Sequence, residues 1–117
     1  MPTVNWNKCQ GEVWCKLNSV SLSHQHFDNM EGVYIIWHGG PKPATVYVGR
    51  GVIRERLTEH RKNSQIQQFE PLGLFVTWAR VAPEQQDGVE AFLAQRLKPS
   101  VTESSPNVTP IDINLPW

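Results

Sequence analysis

No stretch of the sequence approaches the roughly 18 consecutive apolar residues that a membrane-spanning helix needs, so no membrane association is expected. Charge of one sign is missing too. Lys and Arg number 11 and Asp and Glu number 11, a formal net charge of zero, which argues against a generic polyanion binder. Cysteine is scarce. Cys9 and Cys15 are too few for a disulfide scaffold and are expected to be reduced. Together with His24 and His26 they make a C-x5-C and H-x-H set whose cysteines are spaced more widely than those of zinc modules, so no zinc site is expected there. Met1 to Gln10 has no apolar core of the kind that directs secretion, and a cytoplasmic location follows as the expectation. Repeats and low-complexity tracts are absent. The 117 residues have room for one core, and 39% hydrophobic with 19% charged residues excludes collagen-like and disordered chains.

Five tryptophans are spread along the chain, and most are read as packing residues, because each can bury on the order of 150–250 Å². Gly32 to His38 (GVYIIWH) is rich in β-branched and aromatic residues and predicts a strand. Gly39-Gly40-Pro41-Lys42-Pro43 breaks it, and Thr45 to Gly49 (TVYVG) predicts a second strand, completing a hairpin with a long tip. Alternation puts Tyr34 and Ile36 on one face, with Val33, Ile35 and Trp37 on the other; Tyr47 faces away from Val46 and Val48.

From Val52 to about Asn63 the period becomes helical, with Ile53, Arg56, Leu57 and His60 on one stripe. Arg54 and Arg61 face away, whereas Arg56 and His60 stand in line with core residues, the reverse of an ordinary amphipathic helix. Leu74 to Val81 predicts a third strand. A second helix is expected from about Gly88 to Lys98, with Asp87 as N-cap, Glu90 three residues on as in a capping box, and Pro99 ending it. The order β-β-α-β-α predicts an α+β domain built on a three-stranded, mainly antiparallel sheet flanked by helices. Residues 1–31 and 108–117 are expected to be extensions that pack on a 32–107 domain, with the alternating Ile111, Ile113 and Leu115 suggesting a short edge strand.

Gly32-Val33-Tyr34, then twelve residues, then Tyr47-Val48-Gly49 and a basic helix, is a pattern that resembles the GIY-YIG nuclease family. The resemblance runs from about residue 32 to 107. Arg56 and His60 in RLTEH resemble the family's arginine-bearing helix, Glu90 in GVEAFLAQRLKP its metal-binding glutamate, and Asn107 in SSPN the asparagine that closes the site. Arg54 is a rival for the arginine role, since the gap from Gly49 to Arg56 is a residue shorter than in several relatives.

The resemblance implies Mg²⁺-dependent (or Mn²⁺-dependent) hydrolysis of DNA phosphodiester bonds, with RNA as a second substrate class. Such a reaction needs an activated water, charge stabilisation and a metal ion. In this reading Tyr34 and Tyr47 orient or deprotonate the water, aided by positive charge from Arg50 or the metal. Arg56 neutralises the phosphate with its fork, His60 shares the proton relay, Glu90 offers Mg²⁺ a hard carboxylate, and Asn107 positions a tyrosine or backbone. Residues 50–63 carry five Lys and Arg (Arg50, Arg54, Arg56, Arg61, Lys62) against Glu55 and Glu59. That local excess fits modest phosphate contact by Arg50, Arg54, Arg61 and Lys62. Specificity is expected to come from the core, from homo-oligomerisation or from a partner protein. The alternative reading is a non-catalytic nucleic-acid or protein binding module on the same scaffold.

Overall fold

A computed structural model of the chain describes residues 3–101 and 107–117. It is an α+β fold built on an antiparallel sheet of four strands: β1 (Cys15–Lys16), β2 (Glu31–His38), β3 (Ala44–Val52) and β4 (Leu74–Arg80), in spatial order β1-β4-β2-β3. Three α-helices accompany it, α1 (Ile53–His60), α2 (Ser64–Gln67) and α3 (Pro83–Leu97). The fourth strand corrects the three-stranded expectation. It is two residues of the N-terminal segment, paired to β4 through Cys15↔Val76 and Lys16↔Phe75, too short to show a period of two in sequence. Among the described residues no helix is long and apolar enough to cross a membrane.

Both faces of the sheet are covered, so β2 reads as a nearly continuous apolar run. Tyr34 and Ile36 join one buried cluster with Ile53 and Leu57 of α1, Ile66 of α2, and Leu17, Leu22 and Phe27 of the N-terminal segment. Val33 and Ile35 join a second with Val89, Phe92 and Leu93 of α3 and with Ile113. The expected alternation in β2 is thus observed. In β3 it fails at one position: the register slips between Ile36 and Trp37, which pair with Tyr47 and Thr45, so Val46 is an extra residue. This bulge turns Val46 and Tyr47 into the same cluster, and leaves Val48 alone to face α3.

The helix α3 begins at Pro83, with Ala82 as N-cap and proline in the first turn, a position proline favours because the N–H it lacks has no intrahelical acceptor there. The expected start at Gly88 is therefore corrected by a full turn and more: Asp87 lies inside the helix, and Glu90 takes no part in a capping box. Lys98, in the left-handed conformation at φ 48°, closes it ahead of Pro99. The segment 107–117 forms no strand. Ile111 N–H donates to the Gly88 carbonyl, the Asn114 carbonyl accepts from Trp6 Nε1, and the Asn114 side chain bonds both N–H and C=O of Val4, so the segment is tied to α3 and the N-terminus. Of the tryptophans, Trp78 is core, Trp6 and Trp37 pack against the α3-side cluster, and Trp117 is exposed. Trp14, Trp37 and Trp117 meet edge to face at one end of the sheet.

Cys9 and Cys15 are joined by a disulfide, which corrects the expectation of reduced thiols. The geometric cause is local: Cys9 N–H bonds the Val13 carbonyl in a tight loop that returns the chain to β1. Bridging two cysteines six residues apart removes chain entropy worth about 2 kcal/mol. Reduction, or the Cys9→Ser/Cys15→Ser pair, is expected to leave the fold intact and lower the stability measured by denaturant titration by about 2 kcal/mol; an unchanged midpoint would contradict a bridge in the folded chain.

Candidate active site

Strand register brings the two tyrosines together. Tyr34 of β2 stands opposite Gly49 of β3, and Ile36 opposite Tyr47, so the tyrosine rings lie side by side on the α1 face. They stack with centroids 6.1 Å apart and planes 18° apart. Gly49 makes this possible: a Cβ there would stand 2.2 Å from the Tyr34 hydroxyl oxygen and 2.4 Å from its Cζ. The glycine of the second tripeptide is the space into which the tyrosine of the first lies.

The stripe of α1 completes the cluster. Gly51, at φ +124°, turns the chain out of β3, and the Arg56 stem lies over it. His60 Nε2 is 2.6 Å from Tyr34 Oη, and the imidazole also packs on Tyr47 at 4.5 Å between centroids. Arg56 Nη2 donates to Tyr47 Oη at 3.4 Å, and Nη1 to Glu59 at 3.0 Å. Arg56, not Arg54, is therefore the arginine beside the tyrosines. Three of the four groups are dry, Tyr34 at 0%, Tyr47 at 3% and His60 at 2% exposure, while the Arg56 side chain keeps 28%.

Burial sets the protonation states. It pushes His60 down to about 4, helped by the Arg56 charge, so the imidazole is neutral at neutral pH. It raises Tyr34 above the ordinary phenol value; Arg56 opposes this, while Tyr47 and Glu90 add to it. Tyr34 therefore remains a neutral phenol. Burial lowers Arg56, but Tyr34, Tyr47 and Glu59 outweigh it, and the guanidinium is held charged. His60 Nδ1 is buried and has no hydrogen-bond partner among the described residues. A buried N–H without an acceptor is costly, which favours the tautomer with the proton on Nε2, donated to Tyr34 Oη.

Glu90 approaches from the other side of β3, the edge strand, on α3. It raises the pKa of Tyr34, which puts both in one field. Its side chain is 17% exposed, and its carboxylate lies 3.7 Å from Arg50 Nε, which also contacts Asp87 at 2.5 Å. Arg50 thus faces the carboxylates of α3 and not the tyrosines. Arg54 and Arg61, expected on the phosphate-binding face, instead hydrogen-bond the backbone carbonyls of residues 17–24. Lys62 is exposed. Asn107 is exposed as well, and the Ser104-Ser105-Pro106 before it lies outside the described residues. Sequence reasoning took Glu59 only as a counter-charge of the basic segment and Asp87 only as an N-cap, and so missed their ion pairs with Arg56 and Arg50.

The low pKa of His60 makes stability fall in acid. Its folded value lies below the ordinary 6.5, so between pH 6.5 and 4 the unfolded chain binds a proton that the folded chain does not. Stability is retained above that window and is expected to drop by about 3 kcal/mol as pH falls through it. Chemical denaturation at a series of pH values should show the drop in the natural sequence and a flatter profile in His60→Gln; parallel profiles would contradict a buried neutral imidazole. A second expectation concerns Gly49→Ala, which forces the Tyr34 ring away and should cost about 1–3 kcal/mol in the same measurement.

No family model matches the chain, and no curated protein and no solved structure matches it either.

Proposed function

We propose that this chain is a Mg²⁺-dependent (or Mn²⁺-dependent) endonuclease that hydrolyses phosphodiester bonds in DNA through a site of the GIY-YIG kind, with RNA as the second candidate substrate. The observation that carries this reading is the meeting of Tyr34, Tyr47, Arg56 and His60 in one cluster, at the strand edge where Glu90 stands. Four residues that the sequence pattern singles out for phosphodiester chemistry converge from two strands and a helix.

In this reading each group acts within the geometry described. Arg56 is the exposed end of the cluster. Its pair with Glu59, whose side chain is 62% exposed, is weakly held, so a phosphate can replace the carboxylate on the guanidinium fork. Tyr47 receives the Arg56 donor and holds the attacking water by hydrogen bonding. As the water oxygen bonds phosphorus, the bond from phosphorus to the leaving oxygen breaks, the water gives its proton to solvent, and the leaving oxygen takes one from solvent. Arg56 offsets the charge that builds on the phosphoryl oxygens. Tyr34, a neutral phenol held by His60, orients the water by hydrogen bonding. His60 is the fixed donor that sets the direction of the Tyr34 hydroxyl proton. Asn107 remains the residue proposed to close the site.

Among the described residues no three His, Cys, Asp or Glu converge as a metal cage. Glu90, a half-buried hard carboxylate, fits Mg²⁺ in the manner of sites that use one or two carboxylates with substrate phosphate and water. When bound there, Mg²⁺ supplies polarisation of the phosphoryl oxygens and charge stabilisation at the leaving oxygen. Arg50, itself paired with Asp87, lies 3.7 Å from the Glu90 carboxylate.

A second reading, a non-catalytic binding module, is favoured by one observation: both tyrosines are buried, which restricts water access to their hydroxyls. The proposal also bears on location. A cytoplasmic setting keeps thiols reduced, so there the Cys9–Cys15 bond would be open. Glu90→Gln separates the readings. The change keeps an amide in mid-helix and is expected to leave folding, thermal stability and DNA binding intact while abolishing Mg²⁺-dependent cleavage, since a neutral amide is a poor ligand for a hard cation. Full cleavage by Glu90→Gln would remove Glu90 from the site.

A further inference from the structure

Residues 17–30 run alongside α1 with little regular structure of their own; one 3-10 turn, Gln25–Phe27, interrupts them. The carbonyls of such a segment need donors, and α1 supplies them from both ends. Near its start, Arg54 Nε donates to Leu22 O at 2.7 Å and Nη2 to His24 O at 3.0 Å, with an ion pair to Asp28 at 2.8 Å. Just past its end, Arg61 Nε donates to Leu17 O at 2.8 Å and Nη2 to Val20 O at 2.5 Å. A third tie joins the segment to α2: the amides of Asn18 and Gln67 bond each other reciprocally at 2.8 and 3.1 Å, and Gln67 Nε2 also donates to the His60 carbonyl at 3.1 Å.

Arg56 and His60 lie between these bolts. A solvated arginine on a helix face does not spend both its Nε and its Nη donors on carbonyls thirty or more residues away in sequence. The pattern marks a built contact, and its apolar side agrees: Leu17 and Leu22 are buried in the same cluster as Leu57 and Tyr34.

We infer that Arg54 and Arg61 are positioning residues, which clamp residues 17–28 across both ends of α1 and thereby fix where Arg56 and His60 stand against the tyrosines. The effect on turnover rests on the nuclease reading given above; the effect on His60 does not. The titratable and charged groups that face His60 are Tyr34 from β2, Tyr47 from β3 and Arg56 from α1, whereas Gln67 and Asn18, from α2 and the clamped segment, are uncharged. The clamp therefore acts on His60 by keeping water out and the geometry fixed.

The test is the Arg54→Lys/Arg61→Lys double variant, which keeps both charges and loses both planar forks. NMR titration of the His60 ring in the metal-free protein is expected to show its pKa rising from about 4 by about one unit or more as water reaches the imidazole. On DNA with Mg²⁺, kcat is expected to fall roughly tenfold to a hundredfold, the penalty of misplaced catalytic groups, with KM nearly unchanged because the charges remain. A purely structural role would lower the melting temperature and leave both the His60 titration and kcat where they were, and that result overturns the inference. If the natural protein cuts no nucleic acid, the nuclease reading fails, and the titration still decides the positioning role. Should the double variant not fold, Arg61→Lys alone, which leaves the Arg54 bonds in place, carries the same readouts.

Discussion

The hydrogen bond between Tyr34 Oη and His60 Nε2, 2.6 Å long and sealed from solvent, is the contact on which the other features converge. It joins the central strand β2 to the last residue of α1. For it to form, β3 must have no side chain at Gly49, the turn at Gly51 must bring α1 back over the sheet, and α1 must present His60 to the core at a position where an apolar residue would ordinarily stand. Each condition has a cost: a strand glycine weakens local pairing, a buried imidazole gives up protonation, and Nδ1 is left without a hydrogen-bond partner among the described residues. Such concentrated departures from local preference are what a functional constraint produces.

The same bond explains the electrostatic character of the cluster. Arg56 is held charged beside the neutral Tyr34 and His60, and it pairs with Glu59 at the surface. Burial, which suppresses ionisation of Tyr34 and His60, leaves their hydrogen bonds as the means by which they act. The acidic side of the site is built separately, on α3, where Arg50 lies between Asp87 and Glu90. Strand β3, at the edge of the sheet, lies between the tyrosine cluster on the α1 face and these groups of α3 on the other face.

Much of this was legible in the sequence because the signals were local. The β2–β3 hairpin followed from β-branched runs around a Gly-Pro break. The α1 stripe followed from a 3.6-residue period, and the anomaly of Arg56 and His60 within it pointed to the residues the structure gathers. What stayed hidden depended on long-range partners. Strand β1 has two residues and exists only because β4 offers an edge. The start of α3 at Pro83 was hidden because Asp87 and Glu90 imitate a capping box inside a helix that proline had already begun. Arg54 and Arg61 read as phosphate-contacting residues of a basic helix face because nothing in their own segment announces carbonyls thirty or more residues earlier in the chain. The bulge at Val46 and the Cys9–Cys15 bond likewise come from chain geometry that no local pattern of polarity records.

The proposed function depends on one property, cleavage of nucleic acid by the cluster with the help of a divalent cation. It is tested most directly by incubating the purified natural protein with supercoiled plasmid, branched and linear duplex DNA, single-stranded DNA and RNA, with Mg²⁺, with Mn²⁺, and with chelator. The account predicts strand cleavage of DNA that requires the metal and stops on chelation. Binding without cleavage of every substrate in both metals, by protein whose fold is intact, would contradict it.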